Sequence, residues 1–208
     1  MERMADILKD RYGANEPIFT DEVLRAFEGV PKRTVYYRLE KAVEEGSVVK
    51  AERGVYYVPT ETILGPSVLP PMKTIEKEYL ACGEDVYGYW SGLMLENQMG
   101  LTTQNPSVLE IVTNKATKRV RHLGPAAGYK DVVLRQPRVE VTKANVEVLM
   151  LLDLVTSSPL SPREVLDLKN LLDLAKRASK RDVREIIPYY PAKTAKRLME
   201  SEIADVLA

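Results

Sequence analysis

The sequence predicts an α+β protein: an N-terminal winged helix-turn-helix, then a mixed α+β domain with a small sheet, and a helical C-terminal tail. Three observations carry this. Within the first 60 residues, three amphipathic helical segments precede two β-rich runs joined by a glycine turn. Between 108 and 135, three short strand-like runs stand between helical blocks. From about 142 onward helical spacing returns.

Residues 2–12 read as a helix with Met4, Ile7 and Leu8 on one face, ended by Gly13 and Pro17. In PIFTDEVLRAF, Thr20 is placed to cap a second helix through Phe27, with Val23, Leu24 and Phe27 as its apolar stripe. Gly29 breaks it. Pro31 suits the first turn of a third helix, PKRTVYYRLEKAVEE, which Gly46 closes. The runs SVVKA and GVYYVP, joined by Glu52-Arg53-Gly54, then form a hairpin.

At about 100° per residue, Val35, Leu39, Ala42 and Val43 of the third helix fall on one side and should pack on the first two helices. Arg33, Thr34, Tyr37 and Lys41 fall opposite, with Tyr36 and Arg38 on the flanks. Lys32, Arg33, Arg38 and Lys41 face one acid, Glu40, while Glu44 and Glu45 come only at the far end. A helix entering the major groove reads bases with its N-terminal half, so this polarity is the one required. Lys50 and Arg53 put positive charge on the hairpin, where a wing would meet phosphate. The expected partner is double-stranded DNA. The competing reading is a winged helix used for protein contacts, with the same face merely solvated.

Residues 61–71 are rich in Pro and Gly and read as a linker after a 1–60 DNA-binding domain. A second domain is expected over 72–157, with helices near 72–82 and 86–99 and strands at 108–113, 118–123 and 131–135. Residues 158–208 read as a helical extension. There Ser161-Pro162-Arg163-Glu164 has the form of a capping box opening a helix to Ala178, and Ser179 is placed to cap another to Ile187. A last helix follows Pro191.

Composition narrows the function classes. Thirty basic and thirty acidic residues cancel, so only local charge can argue for a nucleic-acid partner. No apolar run reaches the roughly 18 residues of a membrane span, and the charged N-terminus lacks a signal-peptide block. One cysteine, Cys82, and one histidine, His122, leave no basis for a zinc site or internal disulfide. A cytoplasmic protein without metal or cofactor is expected. No phosphate-binding loop, GxGxxG, HExxH or nucleophile elbow is present, so catalysis is not expected.

Tyr89-Trp90-Ser91-Gly92-Leu93, Asn97, Gly100-Leu101-Thr102-Thr103-Gln104 and Pro106, followed by VLEIVTN through Thr113 and Asn114, form a distinctive series. It resembles the C-terminal domain of AbiEi-type antitoxins of bacterial type IV toxin–antitoxin systems. The segment ending in GVYYVP resembles that family's N-terminal module, and together the resemblance spans about residues 1–155. It implies a protein that binds inverted repeats in its own promoter and represses it. It also implies functional antagonism of a nucleotidyltransferase-type toxin, with no stable complex assumed. A homodimer is compatible with palindromic DNA. The motif has its own physics: Gly100 can close a helix through a left-handed cap, and Thr102, Thr103 and Gln104 can bond freed backbone groups at a helix-to-strand turn. Ser91-Gly92 reads as a close packing point rather than a nucleophile.

A second basic cluster comprises Lys115, Lys118, Arg119 and Arg121 beside His122, with Lys130, Arg135 and Arg138 downstream. Strand alternation would put Lys118, Val120 and His122 on one face and Arg119, Arg121 and Leu123 on the other. A supplementary nucleic-acid surface and a solvated sheet edge both fit. The alternative for the whole chain is a ligand-responsive winged-helix transcriptional regulator with no toxin partner.

Overall fold

The computed structural model describes residues 3–157 and 168–207, so the Ser161–Glu164 capping box lies outside the described residues. The fold is mixed α+β, and the chain divides into two compact units, residues 1–77 and 78–208.

In the first unit, α1 (Met4–Tyr12), α2 (Thr20–Ala26) and α3 (Lys32–Glu44) enclose a core of Met4, Leu8, Ile18, Val23, Phe27, Val35, Leu39, Ala42 and Val48. Burying each large member contributes about 1.5–3 kcal/mol, and their spacing is what makes these segments helical. The hairpin β2 (Val49–Glu52) and β3 (Val55–Tyr57) turns at Gly54, whose φ of +82° lies in the left-handed region that glycine tolerates. A strand not expected from the sequence, β1 (Ile18–Phe19), pairs with β3 to give the order β1-β3-β2. Its presence moves the start of α2. The Thr20 hydroxyl donates to the Gly54 carbonyl at 3.1 Å instead of capping the helix, and the Glu22 carboxylate takes the Phe19 N–H at 2.9 Å.

The expected linker is built into this unit. Residues 61–66 form a small hairpin, β4 (Glu61–Thr62) with β5 (Gly65–Pro66), and Leu69 is buried with Val55 and Tyr57. The Tyr57 hydroxyl donates to the Ser67 carbonyl at 3.0 Å. The helix α4 (Pro71–Tyr79) carries the chain across the division at 77/78. Before that point its Lys77 ammonium donates to the Pro17 carbonyl at 2.6 Å and to the Glu22 carboxylate at 2.8 Å. Pro and Gly content marks a turn here, and the partners that anchor it lie 55 and 60 residues upstream.

The second unit holds a four-stranded sheet of order β10-β11-β9-β8, after a minor hairpin of β6 (Ala81–Cys82) and β7 (Asp85–Val86). β8 (Gly88–Ser91) and β9 (Val108–Thr113) are antiparallel, β11 (Asp131–Arg135) runs parallel to β9, and β10 (Val120–His122) is an antiparallel edge. The helix expected over 86–99 is therefore corrected: α5 spans only Gly92–Gln98. Tyr89 and Trp90 are strand-forming aromatics, and Gly92, at a φ of +58°, turns the chain into the helix. At the other end Gly100 (φ +70°) closes α5 as expected: its N–H bonds the Asn97 carbonyl and the Leu101 N–H bonds the Glu96 carbonyl.

The helix α6 (Val146–Ser157) buries Val148, Leu149, Leu151, Leu152, Leu154 and Val155. What covers them corrects the reading of 158–208 as an extension. α7 (Leu168–Arg177), α8 (Lys180–Ile186), a 3-10 turn at Ile187–Tyr189, α9 (Ala192–Met199) and α10 (Ile203–Leu207) follow. Leu171, Leu174, Ala178, Val183, Ile186, Tyr190, Leu198 and Ile203 from these elements join Leu149 and Leu152 in one core. Ser179 caps α8 as expected, accepting the Asp182 N–H.

Candidate nucleic-acid interface

α3 presents the division its sequence implies. Val35, Leu39 and Ala42 are buried, while Lys32, Arg33 and Lys41 are exposed and Tyr36 and Tyr37 are 42% and 67% exposed. Two tyrosines left this accessible beside cations give up apolar burial, and they supply hydroxyl donors and flat faces to whatever docks there. Thr34 and Arg38 are half-buried on the flank. Lys41 lies 3.8 Å from Glu45 one turn on, an exposed pair that holds little energy. Lys50 and Arg53 are exposed on β2 and its turn. Arg3 carries no signal in the sequence that ties it to α3. It lines a cavity of about 330 Å³ with Met4, Phe27, Arg38, Lys41, Ala42, Glu45 and Ser47. The missing signal was tertiary, because only packing of α1 on α3 brings residue 3 to residue 38.

The second basic cluster is not gathered into one surface. The Lys115 ammonium stacks over the Tyr87 ring at 3.7 Å. Arg121 pairs in register with Leu134, on the face opposite Val120 and His122. Lys118 is exposed. Arg119 precedes the strand, so alternation does not govern it. It lines a second cleft of about 330 Å³, with Tyr89, Ser91, Val112, Val120, Arg135, Gln136, Pro137, Arg138 and Asp153.

The register explains that cleft. Tyr89 pairs with Val112, Val112 with Arg135, and Arg135 with Val120, one straight row across all four strands. Beneath it the Tyr89 hydroxyl donates to the Asp153 carboxylate at 2.8 Å, and the Tyr190 hydroxyl, which donates to the Leu149 carbonyl at 3.4 Å, lies close enough to the same carboxylate to act on its charge. Burial pushes the Asp153 carboxyl above its usual range, against the pull of the two phenols and of Arg138 and Arg135. Burial and the neighbouring carboxylate also drive both phenols up. Arg135 Nε bonds Glu110 at 2.7 Å, and Arg138 lies 5.1 Å over the Tyr190 ring.

In the motif segment, Ser91 precedes α5 without a side-chain capping bond. Added at Gly92, a Cβ would sit 3.2 Å from a Glu110 oxygen. The Asn97 amide reaches the Gln104 carbonyl at 3.4 Å, the Thr102 hydroxyl accepts the Gln104 N–H at 3.1 Å, and Thr103 is exposed. The Asn97 and Thr102 side chains serve the helix-to-strand turn, whereas those of Thr103 and Gln104 make no hydrogen bond among the described residues. Among the described residues no group of three His, Cys, Asp or Glu side chains could hold a metal ion, and no helix is long and apolar enough to cross a membrane.

His122 Nδ1 and Asp131 share a 2.5 Å hydrogen bond, and Asp131 also accepts the Gly124 N–H. The histidine bond holds the Asp131 carboxyl below its ordinary value against desolvation, with the Gly124 N–H helping. A lowered folded-state pKa stabilises above the unfolded value near 3.9, and the contribution is lost as pH falls through the folded value. Asp131→Asn is therefore expected to lower the thermal midpoint at pH 6, with the difference shrinking below about pH 4. A gap that persists undiminished at pH 2 would refute the assignment.

No known protein family's sequence profile matches this chain, and no curated protein matches it. Among solved structures, it is similar to the crystal structure of RV2827C protein from Mycobacterium tuberculosis. That match has 13% identity and a TM-score of 0.48 over 99% of this chain and 76% of the other.

Proposed function

We propose that the first unit is a winged helix-turn-helix that binds double-stranded DNA, with α3 as the recognition helix and the β2–β3 hairpin as its wing. The observation that carries this is the exposed N-terminal face of α3, where Lys32, Arg33, Tyr36 and Tyr37 are offered to solvent. Lys50 and Arg53 on the hairpin would meet flanking phosphates. In this reading the chain is an autorepressor acting on promoter inverted repeats and an antitoxin that counteracts a nucleotidyltransferase-type toxin. The antitoxin role rests on the sequence resemblance of residues 89–114.

Two measurements test the proposal. Arg33→Ala and Tyr37→Ala are each expected to weaken promoter binding by about 1–3 kcal/mol. Exposed positions of this kind usually change stability by less than about 0.5 kcal/mol, so folding should hold. If Arg33, Arg38, Lys41, Lys50 and Arg53 meet phosphate, log K falls with log salt at a slope of about −4 to −5. A gel shift in which both variants bind like wild type, or a slope near zero, rejects the interface. For the antitoxin role, co-expression must relieve the toxicity of a nucleotidyltransferase encoded beside it.

A further inference from the structure

We propose that the cleft on the second unit's sheet binds a small phosphorylated ligand through the guanidinium groups of Arg119, Arg135 and Arg138, over a floor of Tyr89 and Val112. None of these residues lies in the first unit, so the inference stands independently of the DNA-binding reading.

Three cations and one carboxylate, Asp153, line this concavity. Like charges sharing a low-dielectric wall repel one another until an anion sits between them, and a cleft so lined concentrates anions. The three differ in how far their side chains are already engaged. Arg119 has no side-chain partner among the described residues, and Arg135 is bound to Glu110 through Nε. Arg138 reaches the Tyr189 carbonyl at a long 3.5 Å, stacks on Tyr190 and attracts the Asp153 carboxylate. A planar guanidinium fork matches two phosphate oxygens at once, a fit that an ammonium lacks. Ser91 and Gln136 also line the cleft, the Gln136 amide donating to the Ala116 carbonyl at 3.1 Å.

The buried triad beneath serves this site by position. The Tyr89 hydroxyl bonds Asp153 and the Tyr190 hydroxyl bonds the Leu149 carbonyl, which fixes both rings, and Tyr190 carries Arg138 on its ring, so the arginine is held toward the cleft.

Shape selects a small molecule over a polymer. At about 330 Å³ the cleft falls at the low end of ligand pockets, roughly 300–1,000 Å³, enough for a sugar phosphate or a mononucleotide. A duplex backbone is convex and needs a basic track. Here Lys115 is engaged with Tyr87, and Arg121 leaves from the other face of β10.

Calorimetric titration of the full chain tests the proposal, using inorganic phosphate, ribose 5-phosphate, adenosine 5′-monophosphate and, as uncharged control, adenosine. Saturable binding of the phosphates at one site, with none of adenosine, is the expected result. A tighter fit for ribose 5-phosphate or for the nucleotide then identifies the ligand's body. Arg119→Glu should weaken binding by about tenfold or more at an unchanged thermal midpoint, because this side chain holds no structural bond. The proposal is overturned if no phosphate binds saturably or if Arg119→Glu binds like wild type. It is equally overturned if a dinucleotide lacking a terminal phosphate binds as tightly as adenosine 5′-monophosphate.

Discussion

Gly88→Ala is expected to prevent the second unit from folding. A Cβ at this position would stand 2.1 Å from the Tyr79 carbonyl oxygen and 2.8 Å from that of Val112. Both obstacles are backbone, so no side chain can swing aside. The strand cannot retreat either, since Gly88 N–H bonds the Leu80 carbonyl at 3.0 Å and Gly88 is in register with Thr113. A steric conflict of this kind belongs with the rare substitutions that cost more than about 4 kcal/mol, a large share of the 5–15 kcal/mol that holds a domain. Urea unfolding of the full chain should show the second unit's transition lost or shifted to a much lower midpoint. Gly83→Ala is the control, because nothing lies within 4 Å of its added Cβ and only its φ of +60° opposes it. That costs about 1–2 kcal/mol. Equal midpoints for wild type and Gly88→Ala would contradict the close approach of β8 to α4 and β9.

Cutting the chain after Ser157 is expected to unfold the same unit, even though it spares every strand. Leu171, Leu174, Val183, Ile186, Tyr190, Leu198 and Ile203 would be lost from the core, each contributing about 1.5–3 kcal/mol of burial. The end of α6 would lose its partners as well. Arg197 donates to the Thr156 carbonyl at 2.9 Å and the Val155 carbonyl at 3.3 Å, and the hydroxyls of Thr156 and Thr194 are 2.8 Å apart. Freed carbonyls at a helix end and the apolar face of α6 that α7 and α9 cover would favour a molten state over a packed one. The truncated chain should lose near-ultraviolet dichroism from Tyr89 and Trp90 and bind a hydrophobic dye. Retention of a cooperative melt with wild-type amplitude would show that the tail is an appendage after all.

How far the sequence could be read depended on how local each cause was. The periodicity of Val35, Leu39 and Ala42 marks the buried side of α3, and the same spacing leaves Tyr37 outside. The β-branched runs at 108–113 and 131–135 are the strands β9 and β11 within the bounds their composition suggests. Gly100 closes α5 through a bond pattern confined to six residues. By contrast, Tyr89 and Trp90 sit in a stretch whose apolar residues suit either period, so spacing alone does not separate β8 from the helix that follows it. β1 has two residues and exists only because β3 is beside it. In the cleft, Arg119, Arg135 and Arg138 were visible only as members of a diffuse basic cluster. Tyr89 and Asp153, 64 positions apart, had nothing in the chain to link them.

The sequence by itself determined the α+β class, the three N-terminal helices with their hairpin, and which side of α3 would be left to solvent. Hydrophobic spacing and turn residues act within a few positions of themselves, so their consequences can be read in place. Tertiary structure alone decided that residues 61–77 belong to the first unit and that the tail completes the core of the second. It alone brought three arginines to one cleft. Those outcomes depend on contacts across tens of residues, where burial is shared between segments and neither partner carries the information separately.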